Sequence, residues 1–252
     1  MPTAEPSRQL VARLRAGQPV VALTGAGVSA ESGLATFRGP GGLWRGRSPL
    51  ELATPEAFAA DPLEVWRFYA WRRTQASNAR PNPAHLALAA LERERPGFLL
   101  VSQNVDGLHE RAGSRGIVRL HGTLWRLRCV AERREFDDRR ADLGPLPPRC
   151  ACGALLRPAV VWFGEPLPQE ALERALAAVR AAGVVLVAGT SGAVYPAAWL
   201  PRIARESGAH VVEINPETTP FSAEADERIA APAGQALPRL VAAAGIRCEA
   251  AS

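Results

Sequence analysis

Val20-Val21-Ala22-Leu23-Thr24-Gly25-Ala26-Gly27-Val28-Ser29-Ala30-Glu31-Ser32-Gly33 sets a short apolar run directly against glycines and small residues, then reads on as the start of a helix. An uncharged run bounded by turn residues predicts a buried strand of a parallel sheet. At its end Gly25 permits a tight turn, and Gly27 has no side chain to hold a backbone away from a phosphate. The N–H groups of the following helix then offer donors to a pyrophosphate. Ala30 stands where the third glycine of a dinucleotide fingerprint falls, a replacement the pattern tolerates. Glycine turns after strands are common, so this segment alone leaves a nucleotide site and a plain turn both open.

Two further segments repeat the theme. Val184-Val185-Leu186-Val187-Ala188 runs into Gly189-Thr190-Ser191-Gly192, and His210-Val211-Val212-Glu213-Ile214 ends at Asn215-Pro216. Asn215 follows the Gly189 turn at roughly the ~20-residue spacing of a ribose contact. Open α/β sheets bind ligands in a crevice at the carboxyl ends of their strands. The predicted class is therefore α/β, a Rossmann-like parallel sheet with a small inserted domain made of a helical lid and a cysteine-containing module.

The composition narrows the function classes. A chain of 252 residues suits one medium domain, or a larger one with a smaller appendage. Its 47% hydrophobic and 22% charged content is that of a globular protein. No apolar run approaches a membrane span, and Met1 to Arg15 holds no apolar signal core, so a cytoplasmic protein with no membrane partner is expected. Four cysteines do not make a disulfide framework at this length. The formal net charge is +5, and all 30 basic residues are arginine. They are scattered, with doublets such as Arg72-Arg73 and Arg139-Arg140, and no basic stripe interleaves with aromatics. That argues against nucleic acid and for a mild attraction to acidic partners.

Local signals then place the elements. Ser7 to Ala16 reads as an amphipathic helix, and Ala35 to Gly46, rich in Gly and Pro, as a lid. Asp61-Pro62 and Asn82-Pro83 each set a cap residue before a proline, predicting two helix starts. Phe98 to Ser102 is a strand ending at Gln103-Asn104-Val105-Asp106, and Ile117 to Leu120 another ending at His121-Gly122. Pro166 to Gly183 supplies a crossover helix. The expected organisation is a dinucleotide-binding domain from 1–34, 80–125 and 158–252, a helical lid part from 35–79, and a cysteine module at 126–157.

The strand-end residues carry the chemistry. An amide and a carboxylate, Asn104 and Asp106, can hold a carboxamide such as nicotinamide. His121 has the side chain best placed to accept a proton near neutral pH. A structural histidine and an ordinary Asn-x-Asp turn are the alternatives at these positions.

Together the blocks resemble the sirtuin family over nearly the whole chain: Gly25 to Gly33, Thr36-Phe37-Arg38, Gln103 to Asp106, His121-Gly122, Val161-Trp162-Phe163-Gly164-Glu165, Gly189-Thr190-Ser191 and Ile214-Asn215. The resemblance implies NAD-dependent removal of acyl groups from protein lysine, yielding nicotinamide, free lysine and O-acyl-ADP-ribose. It implies His121 and Asn104 as catalytic residues. It places NAD on Gly25, Ala26, Gly27, Ser29, Glu31, Phe37, Arg38, Trp44, Gln103, Asn104, Asp106, Gly189, Thr190, Ser191, Asn215 and Ala233. The acylated peptide would add as a strand against Val161, Phe163 and Gly164. Ala53-Thr54-Pro55 and Tyr69-Ala70-Trp71-Arg72 look like the subgroup that accepts succinyl and malonyl chains, with Tyr69 and Arg72 as its contacts. The other reading makes those two side chains solvated surface groups.

Family members often carry two cysteine pairs that suit tetrahedral zinc. Here the first pair retains only Cys129, with Glu132 where its partner would fall, and the second reads Cys150-Ala151-Cys152, one residue short. Three thiolates and a carboxylate can hold zinc; a metal-free loop is the alternative. Cys248 is expected to stand apart. Besides the deacylase, an NAD-dependent ADP-ribosyltransferase and a non-catalytic acyl-lysine or nucleotide-binding module are open, and a hydride-transfer enzyme is disfavoured.

Overall fold

The computed structural model describes residues 5–36 and 48–248. In chain order these form α1 (Arg8–Arg15), β1 (Val20–Thr24), α2 (Gly27–Ala30), α3 (Pro55–Ala60), α4 (Pro62–Asn78), α5 (Pro83–Glu94) and β2 (Leu99–Ser102). There follow α6 (Leu108–Arg111), β3 (Ile117–Arg119), β4 (Gly122–Cys129), β5 (Glu135–Asp137), β6 (Leu156–Val160) and α7 (Gln169–Ala181). The chain continues through β7 (Val184–Ala188), α8 (Leu200–Glu206), β8 (His210–Ile214), β9 (Glu227–Ile229) and α9 (Ala233–Ala243).

Six parallel strands form one sheet in the order β3-β2-β1-β7-β8-β9. Successive side chains point to opposite faces, and helices cover both. Val20 and Ala22 pack with Leu88 and Leu91 of α5 and Leu237 and Leu240 of α9. Val21 and Leu23 pack on the other side with Ala175 and Val179 of α7 and Leu200 of α8. Double burial is why these strands read as unbroken apolar runs. The register sets Thr24 beside Ser102 and Ala188, and Ala188 beside Ile214. The turns beginning at Gly25, Gln103, Gly189 and Asn215 therefore stand side by side.

Three antiparallel strands, ordered β5-β4-β6, form the second sheet. Their inner residues Leu127, Cys129 and Leu156, with Cys150 from the segment before β6, share one core with Phe58, Val65, Trp66 and Tyr69 of α3 and α4. The segment from 126 to 157 is too short to enclose a core alone, and α4 supplies the missing half. Trp66 donates its indole N–H to the carbonyl of Leu156 at 2.7 Å. Arg73, the second residue of the Arg72-Arg73 doublet, is fully buried. Its guanidinium donates to Asp138 Oδ1 at 2.9 Å and to the carbonyls of Asp138, Arg140 and Leu124. A buried arginine needs this many acceptors, since a charge left without partners is costly. The boundaries expected at 125/126 and 157/158 fall inside β4 and β6, because sheet pairing outlasts the change in composition.

Both proline-marked helix starts are capped as read. Asp61 Oδ1 accepts the Glu64 amide at 2.9 Å, and Asn82 Oδ1 accepts that of Ala84 at 2.9 Å. Among the described residues no helix is long and apolar enough to cross a membrane.

Candidate functional site

The aligned strand ends assemble one polar crevice. Gln103 donates its side-chain amide to Thr190 Oγ1 at 3.1 Å, and Asn215 donates to the Thr190 carbonyl at 3.0 Å. Asn104 spends its amide N–H groups on the Gly25 carbonyl at 3.0 Å and Ser29 Oγ at 3.3 Å, so its Oδ1 is the atom left to accept. Ser29 Oγ donates to Asp106 Oδ2 at 2.8 Å, and the Leu108 amide donates to Oδ1 at 2.8 Å. Each carboxylate oxygen keeps a second lone pair for a ligand.

The glycines are required here for a reason that local reading did not weigh. A Cβ at Gly25 would stand 2.8 Å from the Gly189 carbonyl oxygen, and one at Gly27 2.8 Å from Gly189 Cα. Gly189 itself is left-handed, with φ of +58°. The two strand-end turns thus touch backbone to backbone. Behind them α2 is a single turn, and its amides are partly used. Gly27 donates to Gly189 at 2.8 Å, Val28 to Gly25 at 3.0 Å and Ser29 to Ala26 at 3.0 Å. The expected row of free helix-start donors is therefore reduced. Glu31 accepts the Gly234 amide at 2.6 Å, which ties α9, beginning at Ala233, to the glycine turn. Phe37, Arg38 and Trp44 lie outside the described residues.

His121 follows β3 at the rim of this crevice. Its Nδ1 lies 3.1 Å from the Gln103 carbonyl, which can only accept. Nδ1 must carry the proton, and Nε2 keeps the lone pair. Burial, opposed by that backbone bond, pulls its pKa below the ordinary 6.5. Two further histidines lie beneath. His85 and His109 are buried with ring centroids 4.8 Å apart. Desolvation takes His85 to about 3 and His109 to about 4, so both are neutral at pH 7. His109 Nε2 meets Thr24 Oγ1 at 3.1 Å, and His85 Nε2 lies 3.4 Å from Ser29 Oγ. This layer under Ser29 and Asp106 escaped the sequence reading; the one local signal was the Asn82–His85 spacing of a capping box.

A second group of residues forms where α4 meets the segment after β6. Tyr69 is buried, and its hydroxyl accepts the Trp162 indole N–H at 2.9 Å. The partly buried Arg72 holds its guanidinium carbon 5.8 Å from the Tyr69 ring centroid. Burial lowers the Arg72 pKa from its ordinary value, with Tyr69 and Asp106 acting the other way. Val161 donates its amide to the His121 carbonyl at 3.0 Å, and Phe163 to that of Ala53 at 2.9 Å. Phe163 is 45% exposed, so this segment offers an apolar side chain to solvent. Gly164 turns in the left-handed region, with φ of +84°.

Cys129, Glu132, Cys150 and Cys152 place one donor atom each within 4.8 Å of one another; Cys248 is not among them. Cys129 and Cys152 Sγ are 3.5 Å apart, and Cys150 Sγ is 3.8 Å from Glu132 Oε2. Bonds of about 2.3 Å in a tetrahedron require edges of about 3.8 Å. The donor set fits zinc, with Glu132 in the place of a fourth thiolate.

A cavity of about 1090 Å³ opens between the two sheets, lined by Arg111, Arg126, Arg128 and Arg174 among others. It shares Gly122 and Val161 with the site but is not lined by the glycine turns.

Residues 25–196 match the model of the Sir2 family. The chain is 55% identical over 230 residues to NAD-dependent protein deacylase 2 of Pyrobaculum aerophilum, covering 90% of this chain and 92% of the relative. It is 54% identical over 208 residues to an NAD-dependent protein deacylase of Aquifex aeolicus, covering 82% and 87%. The fold superposes on a solved Sir2 homologue–NAD complex with a TM-score of 0.91 at 47% identity, covering 97% of this chain and 96% of the other. Matched by the family model over more than half of its length and by relatives more than half identical, the chain belongs to the Sir2 family.

Proposed function

We propose that this protein is an NAD-dependent protein-lysine deacylase that favours succinyl and malonyl chains and also removes acetyl. Membership of the Sir2 family and relatives bearing the deacylase name support the reaction class. The acylated lysine of a protein or peptide is the substrate, and nicotinamide, free lysine and O-acyl-ADP-ribose are the products. On this reading 1–34, 80–125 and 158–252 bind the dinucleotide, while 35–79 and 126–157 form the smaller part.

One observation supports it most: the side-by-side strand ends hold Asn104, Asp106 and the Gly25 and Gly189 turns together beside a histidine locked in one tautomer. When bound, NAD supplies an electrophilic ribose carbon with nicotinamide as its leaving group. Asn104 Oδ1 and Asp106 accept from the carboxamide end. Ser191 and Asn215 meet the adenine-side ribose. His121 Nε2 takes a proton from a ribose hydroxyl, and the Gln103 carbonyl steadies the imidazolium that forms. The segment of Val161, Phe163 and Gly164, where the Phe163 side chain is exposed, receives the peptide as a strand added between it and the segment after Gly189.

Acidic-acyl preference rests on Tyr69 and Arg72 of α4, three residues apart and so close on one helix face. The planar guanidinium suits a carboxylate and keeps its charge. A charge-assisted bond of about 1.5–3 kcal/mol corresponds to about 10–100-fold in selectivity. A panel of acetyl-, malonyl- and succinyl-lysine peptides, read by mass spectrometry, tests this. Arg72→Met is expected to lose most desuccinylation and keep most deacetylation. Equal loss of both would assign this helix face to structure. Nicotinamide release without acyl-peptide, with ADP-ribose transferred to protein, would favour the transferase instead.

A further inference from the structure

We infer that Trp162 sets acyl selectivity by forcing the Tyr69 hydroxyl to act as a hydrogen-bond donor toward the acyl chain. This rests on the acidic-acyl reading and names a residue that the reading does not contain. An indole N–H can only donate. The 2.9 Å bond from Trp162 Nε1 to Tyr69 Oη therefore occupies a lone pair of the phenol. The oxygens of nearby Glu165 are held by Arg157 and the Trp162 backbone amide, and the Arg72 guanidinium beside the ring, like the indole, has donors and no acceptor. Neither can take the phenolic proton, so that proton is directed to whatever acceptor arrives. Burial raises the Tyr69 pKa above its ordinary 10, so the proton is present at every working pH. A carboxylate between Tyr69 and Arg72 then meets one neutral and one charged donor. An acetyl group, ending in a methyl, gains nothing from either.

Trp162 is itself held in place. Arg157 stacks its guanidinium carbon 3.5 Å from the Trp162 ring centroid and grips both oxygens of Glu165, at 2.6 and 2.8 Å. Glu165 Oε2 accepts the Trp162 backbone amide at 2.8 Å. Phe58 also packs against it, with ring centroids 5.3 Å apart. The indole is 2% exposed and lies between Val161 and Phe163, the expected peptide edge. Trp162 touches no reacting atom and is a positioning residue.

The test compares succinyl- and acetyl-lysine peptides of one sequence. Trp162→Phe removes the N–H and keeps an aromatic ring. Incorporating benzothienylalanine at position 162, which replaces the N–H by sulfur and keeps the bicyclic shape, guards against a folding defect. Both variants are expected to raise KM for the succinyl peptide about threefold to tenfold and to leave acetyl kinetics within about twofold. In a Tyr69→Phe background the same changes are expected to leave the succinyl-to-acetyl ratio unmoved, since the hydroxyl they orient is gone. An unchanged ratio in the single variants, with wild type preferring succinyl, overturns the inference and spares the acidic-acyl reading. A wild type with no succinyl preference overturns that reading first.

Discussion

On the proposed mechanism the proton goes to His121, whose tautomer follows from a single contact. Because the Gln103 carbonyl holds Nδ1–H, the nitrogen able to accept a proton is Nε2, and it can do so when the ring is neutral. Burial lowers its pKa from 6.5, so the neutral form survives below the ordinary midpoint. Turnover is expected to fall only as pH drops through that lowered value. A kcat–pH profile whose acid limb is centred at or above 6.5 would contradict the assignment. His121→Ala is expected to keep NAD binding and the melting temperature while losing about a hundredfold or more in kcat. Near-normal deacylation by the folded variant would show that another group takes the proton. Asn104 makes the complementary point: its two N–H bonds to Gly25 and Ser29 aim Oδ1, so its chemistry depends on turns far from it in sequence.

Among the elements, the three-stranded sheet is the one most dependent on help from outside. A large part of its core comes from α3 and α4, and its outer end is gathered by Cys129, Glu132, Cys150 and Cys152. Zinc held by these donors would contribute directly to folding, since the site does not exist in the unfolded chain. Protein purified without chelator is expected to carry close to one zinc per chain. Its removal is expected to lower the melting temperature, and Glu132→Cys to slow zinc transfer to a chromogenic chelator. Full stability and activity without metal would mean that this end of the sheet closes by packing alone. The helices are less dependent: α4 and α5 begin where a capping side chain and a proline stand together, because caps act within one turn.

For the molecule as a whole, the two neutral histidines under the crevice tie stability to pH. Folded values of about 3 and about 4 lie below the unfolded value of 6.5. Between those limits the unfolded chain binds protons that the folded chain refuses, so stability is full above pH 6.5 and falls as pH falls. The loss at pH 5 is on the order of 2 kcal/mol for each histidine. Denaturant unfolding at pH 7.5 and pH 5 measures it, and equal free energies would rule out buried neutral rings. The same pair marks the limit of local reading. The sequence by itself determined the parallel strands, the glycine turns, the capped helix starts and the list of polar strand ends, because strand period, turn chemistry and capping are set by neighbours within a few residues. It also carried the family blocks and the odd cysteine spacing. Only the tertiary structure decided that Gly25 and Gly27 are small to admit Gly189, that Arg73 is a buried hub, that His85 lies on His109, and that Trp162 bonds Tyr69. Each of these joins residues distant in the chain, and no periodicity records which side chains two packed elements will bring face to face.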